Sequence, residues 1–238
     1  MNYILPNAVT LLSLVSGFFS IMSSINGNFK AACFAILLAF LFDGLDGKIA
    51  RLLNATSDFG KQLDSLVDAV SFGVAPAILF YTFVISAYSS YNWIAPLLFT
   101  SCAILRLARF NITSKEINEI YFIGLPTPIA AVTIIAFILY INDKTFLDHH
   151  FIYFTMMFMV YFLSFLMISR IHYFSLKKIE HIVFKKAVLV LIMAICIVTF
   201  CILNKFIMFL CCLSYIFSGL LHSFISRRIA LENREYRS

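Results

Sequence analysis

Charge is scarce in this chain. Only 13% of its 238 residues are Asp, Glu, Lys or Arg, where a soluble domain carries roughly 25%. That shortfall excludes an ordinary water-soluble globule. The six cysteines (Cys33, Cys102, Cys196, Cys201, Cys211 and Cys212) lie inside or at the ends of apolar runs, and none forms a CxxC pair. No histidine is placed to complete a zinc site. A disulfide framework and a zinc centre are therefore not expected, and the thiols read as small embedded hydrophobes. No linker, low-complexity tract or repeat interrupts the chain. Basic residues exceed acidic ones by six, yet they sit in short loops between apolar runs and build no patch for nucleic acid. The first apolar run lacks a basic leader and a small-residue cleavage site, so it is expected to be a retained span.

What is present is hydrocarbon. The chain is 62% hydrophobic, with 27 Phe and 11 Tyr, and its mean hydropathy is +0.94. Apolar stretches long enough for a membrane helix need about 17–25 residues. Eight are expected, near 5–24, 30–50, 62–85, 93–110, 125–141, 151–169, 184–203 and 206–225. The fold class that follows is all-α: a polytopic membrane bundle forming a single transmembrane domain over residues 1–238. Eight spans put both termini on one side. Assigning that side to the cytoplasm leaves only Lys30, Lys144 and Lys205 on the other, as the positive-inside rule favours.

Four carboxylates break the apolar pattern. Asp43 and Asp46 fall in the second span, Asp64 and Asp68 in the third. An ionised acid at membrane depth is expensive, and it is retained where it is paired, solvated or bound to a cation. Spacings of three and four put each pair on one helical face. The segment between them holds Asn54, Thr56, Ser57 and Gly60, enough for a turn that makes the helices antiparallel and converges all four acids. Gly44, Gly47 and Ala50 leave room beside them. Four anions this close call for one or two divalent cations; Mg²⁺ in such sites takes carboxylates, water and substrate phosphates. Arg51 and Lys61 are placed to clamp phosphate charge. On chemistry alone two other readings stay open: an ion or proton path through a transporter, and helix-end acids that are merely solvated.

The string Asp43-x2-Asp46-Gly47-x2-Ala50-Arg51-x8-Gly60-x3-Asp64-x3-Asp68 resembles the signature of the CDP-alcohol phosphotransferase family, with every fixed position present. Within that family the chain is most similar to the bacterial-type members that use serine. The similarity rests on Leu5-Pro6-Asn7, the run Asp64 to Pro76, Arg106-Leu107-Ala108-Arg109-Phe110-Asn111, and Gly124-Leu125-Pro126. It covers residues 1 to about 135. The resemblance implies a six-helix catalytic core over 1–175, with two additional spans in 176–238. It implies metal-dependent transfer of a phosphatidyl group from CDP-diacylglycerol to L-serine, releasing CMP, on Mg²⁺ or Mn²⁺ held by Asp43, Asp46, Asp64 and Asp68. Asp68 would also be the catalytic base. Asn7, Gly47, Ala50, Arg51, Gly60 and Lys61 would bind CDP-diacylglycerol. Arg106, Arg109 and Asn111 would take the carboxylate of serine or a lipid phosphate, against the plainer reading that they anchor the fourth span. A homodimer in the bacterial inner membrane, with the site near the cytoplasmic face, is implied as well. Transfer to glycerol 3-phosphate or inositol phosphate is the nearest alternative, since chemistry at phosphorus is shared. Transport is disfavoured because the acids occupy only the first half of the chain.

Weaker features have plain readings. His149-His150 is expected in a solvated loop. Ser65 is expected to pack or hydrogen-bond, since no histidine base is near it in sequence. The basic run Lys177 to Lys186 marks a cytoplasmic loop, and Pro126 and Pro128 shape the start of the fifth span.

Overall fold

The computed structural model describes residues 3–85, 92–113, 121–142, 149–174 and 205–235. The first six expected spans and the eighth each correspond to helix there; the seventh, 184–203, lies outside the described residues, as does the Lys177 to Lys186 run. The helices are α1 (Ile4–Ile25), α2 (Phe29–Leu52), α3 (Asp58–Asp68), α4 (Ala75–Phe80), α5 (Ile94–Thr113), α6 (Thr127–Ile141), α7 (His149–Ile168) and α8 (Lys205–Glu235). Among the described residues, four stretches are long and apolar enough to cross a membrane: Ile4–Ile25, Asp58–Val84, Ile94–Ile112 and His149–Ile168. The third of the expected spans is thus one long rod running from α3 through α4.

Packing in this bundle inverts the soluble pattern. On α1, Thr10, Ser13, Ser16, Gly17, Ser20, Ser23 and Ser24 are buried, while Leu11, Leu12, Val15, Phe18, Phe19 and Met22 face outward. Lipid tails solvate the large side chains, so small residues take the interior and let backbones approach. Two hydroxyls cross between helices: Ser13 Oγ donates to the Ala39 carbonyl of α2 at 3.1 Å, and Ser71 Oγ donates to the Ser13 carbonyl at 3.2 Å. Gly17 faces the same residue of the rod. A Cβ there would lie 2.9 Å from Ser71 Cα, a backbone contact that cannot give way.

The rod widens directly after Asp68. Ala69–Val74 and Tyr81–Ile85 are wound as π-helix, flanking α4. Pro76 stands in the first turn of α4. It has no N–H to donate, and its ring would crowd the carbonyl four residues earlier in a regular α-helix; an expanded turn relieves both. The Gly73 carbonyl in this widened turn receives Thr100 Oγ1 of α5 at 3.4 Å.

The central post is α6. Eleven of its fifteen residues are buried, among them Ile134, Ile135 and Ile138, and a helix apolar all round belongs inside. Pro126 is its N-cap, with Pro128 in its first turn. Two short strands absent from the sequence reading precede and follow the α6–α7 pair: β1 (Tyr121–Ile123) and β2 (His172–Phe174), antiparallel, with Phe122 opposite Tyr173. Gly124 N–H continues the ladder to the Ile171 carbonyl at 2.8 Å. His149 and His150 open α7 and are exposed.

Candidate active site

The reversal between α2 and α3 builds the site. Helix α2 ends in a Schellman pattern, with Ala55 N–H bonded to the Ala50 carbonyl at 2.8 Å and Asn54 N–H to the Arg51 carbonyl at 3.3 Å. Asn54 holds the left-handed position, φ +50°, which asparagine tolerates better than most residues. Three residues later Ser57 caps α3 by accepting the Gly60 N–H at 3.0 Å. Gly60 is small for a reason: a Cβ there would sit 3.1 Å from Ser57 Oγ and 3.4 Å from Asn7 Oδ1.

This tight turn delivers the acids. Oxygens of Asp43, Asp64 and Asp68 all lie within 4.8 Å of one another, and each of these residues is half-buried. Asp46 lies outside that trio; it is buried, at 5% exposure, with Thr10 of α1 beside its carboxyl and the Thr10 hydroxyl donating to the Pro6 carbonyl at 3.1 Å. It borders a cavity of about 240 Å³ lined by Pro6, Asn7 and Thr10 of α1, by Asp46, Gly47, Ala50 and Arg51 of α2, and by Ala55 to Ser57, Gly60, Lys61 and Asp64. Asp64 belongs to both the trio and the cavity wall, so the two are continuous. A Cβ on Gly44 or Gly47 would meet nothing within 4 Å. These glycines leave open space beside the acids and serve no close helix contact.

The donor set fits a hard divalent cation. It is all carboxylate oxygen, as Mg²⁺ and Mn²⁺ prefer. Asp46 Oδ2 and Asp68 Oδ1 are buried and have no hydrogen-bond partner among the described residues. Buried polar atoms are normally satisfied, so two orphaned acceptors, one of them within the carboxylate trio, suit a cluster that could hold a cation.

The cationic residues separate into three roles by position. Arg51 and Lys61 stand exposed at the cavity rim, and Lys61 also lies 3.7 Å from Asp58 one turn away. Arg106 is buried, donates from Nη1 to Thr127 Oγ1 at 2.9 Å, lies over the Phe110 ring at 5.7 Å and is close enough to Asp68 for their charges to interact. Arg109 is placed differently from the sequence expectation. Its Nη1 donates to the Ile168 carbonyl at 2.8 Å, and its Nη2 to the carbonyls of Ile123 at 2.8 Å, Met167 at 3.1 Å and Ser169 at 3.4 Å. Gly124 makes room for it, at φ +80°, where a Cβ would collide with Arg109 and the Met167 carbonyl. Asn111 Nδ2 donates to Ser65 Oγ at 2.9 Å, tying α5 to the face of α3 between its two acids. Ser65 Oγ in turn lies 3.1 Å from the Lys61 carbonyl, so it is engaged in packing. Sequence reasoning missed Thr10, which the i, i+3 spacing from Asn7 could have flagged, and Thr127, whose only signal was its place between two prolines.

Acids on two adjacent membrane helices, a small cavity beside them and an all-oxygen donor set therefore stand together where α2 turns into α3. The chain belongs to the CDP-alcohol phosphatidyltransferase family, whose model matches residues 3–166. It is 43% identical over 137 residues to the CDP-diacylglycerol–serine O-phosphatidyltransferase of Mycobacterium leprae, covering 56% of this chain and 45% of that protein. It is 39% identical over 146 residues to the protein of the same name from Helicobacter pylori, covering 61% and 62%. It is 46% identical over 137 residues to the archaetidylserine synthase of Methanothermobacter thermautotrophicus, covering 57% and 58%. The matched stretch thus spans about half to three-fifths of the length of these relatives.

Proposed function

We propose that this protein transfers the phosphatidyl group of CDP-diacylglycerol to L-serine, yielding phosphatidylserine and CMP. The observation that carries the reading is the convergence of Asp43, Asp64 and Asp68 at the edge of a cavity whose wall holds the rest of the family signature. Relatives named for serine transfer support the choice of acceptor.

Asp43, Asp46, Asp64 and Asp68 would hold Mg²⁺ or Mn²⁺, which supplies charge neutralisation at the diphosphate and at the departing CMP. Asn7, Gly47, Ala50 and Gly60 line the space for the nucleotide and diphosphate, and exposed Arg51 and Lys61 draw the anion to the rim. Asp68 accepts the proton of the serine hydroxyl, a poor nucleophile at neutral pH. The hydroxyl oxygen bonds to the phosphatidyl phosphorus as the bond to the CMP oxygen breaks, and CMP leaves with that electron pair. Arg106, within charge reach of Asp68, is the cation for the serine carboxylate, and Asn111 holds the α3 face through Ser65. Arg109 we assign to the scaffold, because its guanidinium is occupied by backbone carbonyls. We further propose a homodimer in the bacterial inner membrane, both termini cytoplasmic, with residues 1–175 as catalytic core and 176–238 as two added spans.

The test is CMP release by purified protein with CDP-diacylglycerol and Mg²⁺ or Mn²⁺, with and without L-serine. Serine- and metal-dependent release is expected. Release only with glycerol 3-phosphate or inositol phosphate would overturn the acceptor. Cation flux in liposomes without CMP release would favour transport.

A further inference from the structure

Helix α8 lies beyond the residues that the family model matches, yet it packs into the bundle against α6 and β2. Phe209 and Phe206 meet Phe137 and Tyr140 of α6 at ring-centroid distances of 5.2 and 5.3 Å. Lower on the same helix, Tyr215 stacks on Tyr173 of β2 at 5.8 Å with 23° between planes. Tyr173 is fully buried, and its ring lies so close over Gly219 that any Cβ there would collide with it. The two rings are therefore wedged between α8 and the β1–β2 ladder and have little freedom to shift.

Arg106 lies within charge reach of Tyr215. Only 7% of it is exposed. Its described polar bond goes to Thr127 through Nη1, and its Nε has no hydrogen-bond partner among the described residues. Asp68, Arg109 and Tyr215 all lie near enough for their charges to act on it. A guanidinium has five N–H donors in a rigid fork, and a buried donor left unmade is costly. Arg106 is thus a buried cation with a donor to spare, within charge reach of both Asp68 and Tyr215.

We propose that α8 completes the acceptor side of the site: Tyr215, seated by its stack on Tyr173, positions the Arg106 guanidinium beside Asp68 so that Nε receives the carboxylate of the acceptor. This rests on the reading of the protein as a serine phosphatidyltransferase. Tyr215 is a positioning residue acting through Arg106. It makes a helix outside the shared family region a determinant of acceptor affinity, while the metal acids and nucleotide cavity on α1 to α3 stay independent of it.

The test uses the full chain in detergent, reading CMP release while serine and CDP-diacylglycerol are titrated separately. Tyr215→Leu is expected to raise the KM for serine about tenfold, the scale of one charge-assisted hydrogen bond, and to leave the KM for CDP-diacylglycerol unchanged. Tyr215→Phe, which keeps the ring stack, is expected to show a smaller rise. Phe217→Ala, on the outward face of the same helix, is the control for general loosening. A folded Tyr215→Leu with unchanged serine KM overturns the proposal and leaves the function standing. If the wild type turns over only with another alcohol, the function fails, and the same KM comparison on that alcohol decides the role of Tyr215. A thermal-unfolding double-mutant cycle between Tyr215→Leu and Arg106→Leu reads the contact without turnover; strict additivity would overturn it too.

Discussion

The α2–α3 hairpin and the junction of α5 with β1 and α7 both bury charge in a membrane bundle, and they treat it in opposite ways. At the junction, Arg109 meets four backbone carbonyls, those of Ile123, Met167, Ile168 and Ser169, and Gly124 adopts a positive φ to let it through. At the hairpin, three carboxylates crowd within 4.8 Å, and two of the four acids keep a buried oxygen with no partner among the described residues. A charge that the chain itself satisfies is part of the scaffold. A charge that the chain gathers and leaves unsatisfied is set for something that arrives from outside. A charge set in a membrane bundle is costly in either place, and its partners tell the two kinds apart.

Removing one acid should separate the two regions most sharply. Asp64→Asn keeps the shape of the side chain and takes away one charge from the trio and the cavity wall. CMP release is expected to fall on the order of 10³-fold, as for loss of a preorganised electrostatic group. Thermal stability without added metal is expected to hold or rise, because one repulsion among close carboxylates is gone. A variant that loses stability while keeping its activity would move the acids to the scaffold side of the comparison.

The opposite signature is expected at Arg109. Arg109→Ala strips four carbonyls of their donor at the start of α6 and the end of α7. Leaving such groups buried and unpaired costs about 1–3 kcal/mol each where water cannot reach, so a loss of about 3 kcal/mol in stability is expected, read by thermal unfolding in detergent. The KM for serine measured on the folded fraction should stay within about twofold of wild type. A serine KM that rises with stability intact would restore Arg109 to the acceptor site, where its place in the sequence had put it.

That reversal shows what sequence carries and what it does not. The acids were legible because helix periodicity is local: spacings of three and four fix a shared face, and charge inside apolar runs announces itself. The spans were legible from hydropathy for the same reason. The turn was legible in outline from Asn54, Ser57 and Gly60, since each acts within a few residues of itself. Arg109 was not, because its partners are carbonyls about 14 to 60 residues away, and a carbonyl has no letter in the sequence. The β1–β2 ladder was illegible too, being two three-residue strands held by the same distant backbone. Gly124 carried the one trace of it, and it read only as part of a motif. Gly44 and Gly47 were legible as small, yet whether small means close packing or open space is settled by what stands opposite. Thr10 stayed hidden because its role depends on α1 lying against Asp46, a contact between helices.

The smallest effect is expected where the two kinds of residue meet, at the hinge. Ser57 caps α3 and also lines the cavity, so it is both scaffold and site. Ser57→Ala removes the acceptor for the Gly60 N–H and is expected to cost about 1 kcal/mol, the usual worth of an N-cap. Because the cap sets where α3 begins, it sets the height of Asp64 and Asp68 against Asp43, and CMP release should fall a few-fold. Ser57→Asn decides which role dominates. Its side-chain oxygen can accept the same N–H, so a cap role predicts recovery of both stability and activity. A direct role in the cavity predicts recovery of stability alone, since the longer amide would intrude where the hydroxyl leaves space. Thermal unfolding and CMP release on the same three preparations would read the hinge as scaffold in the first case and as site in the second.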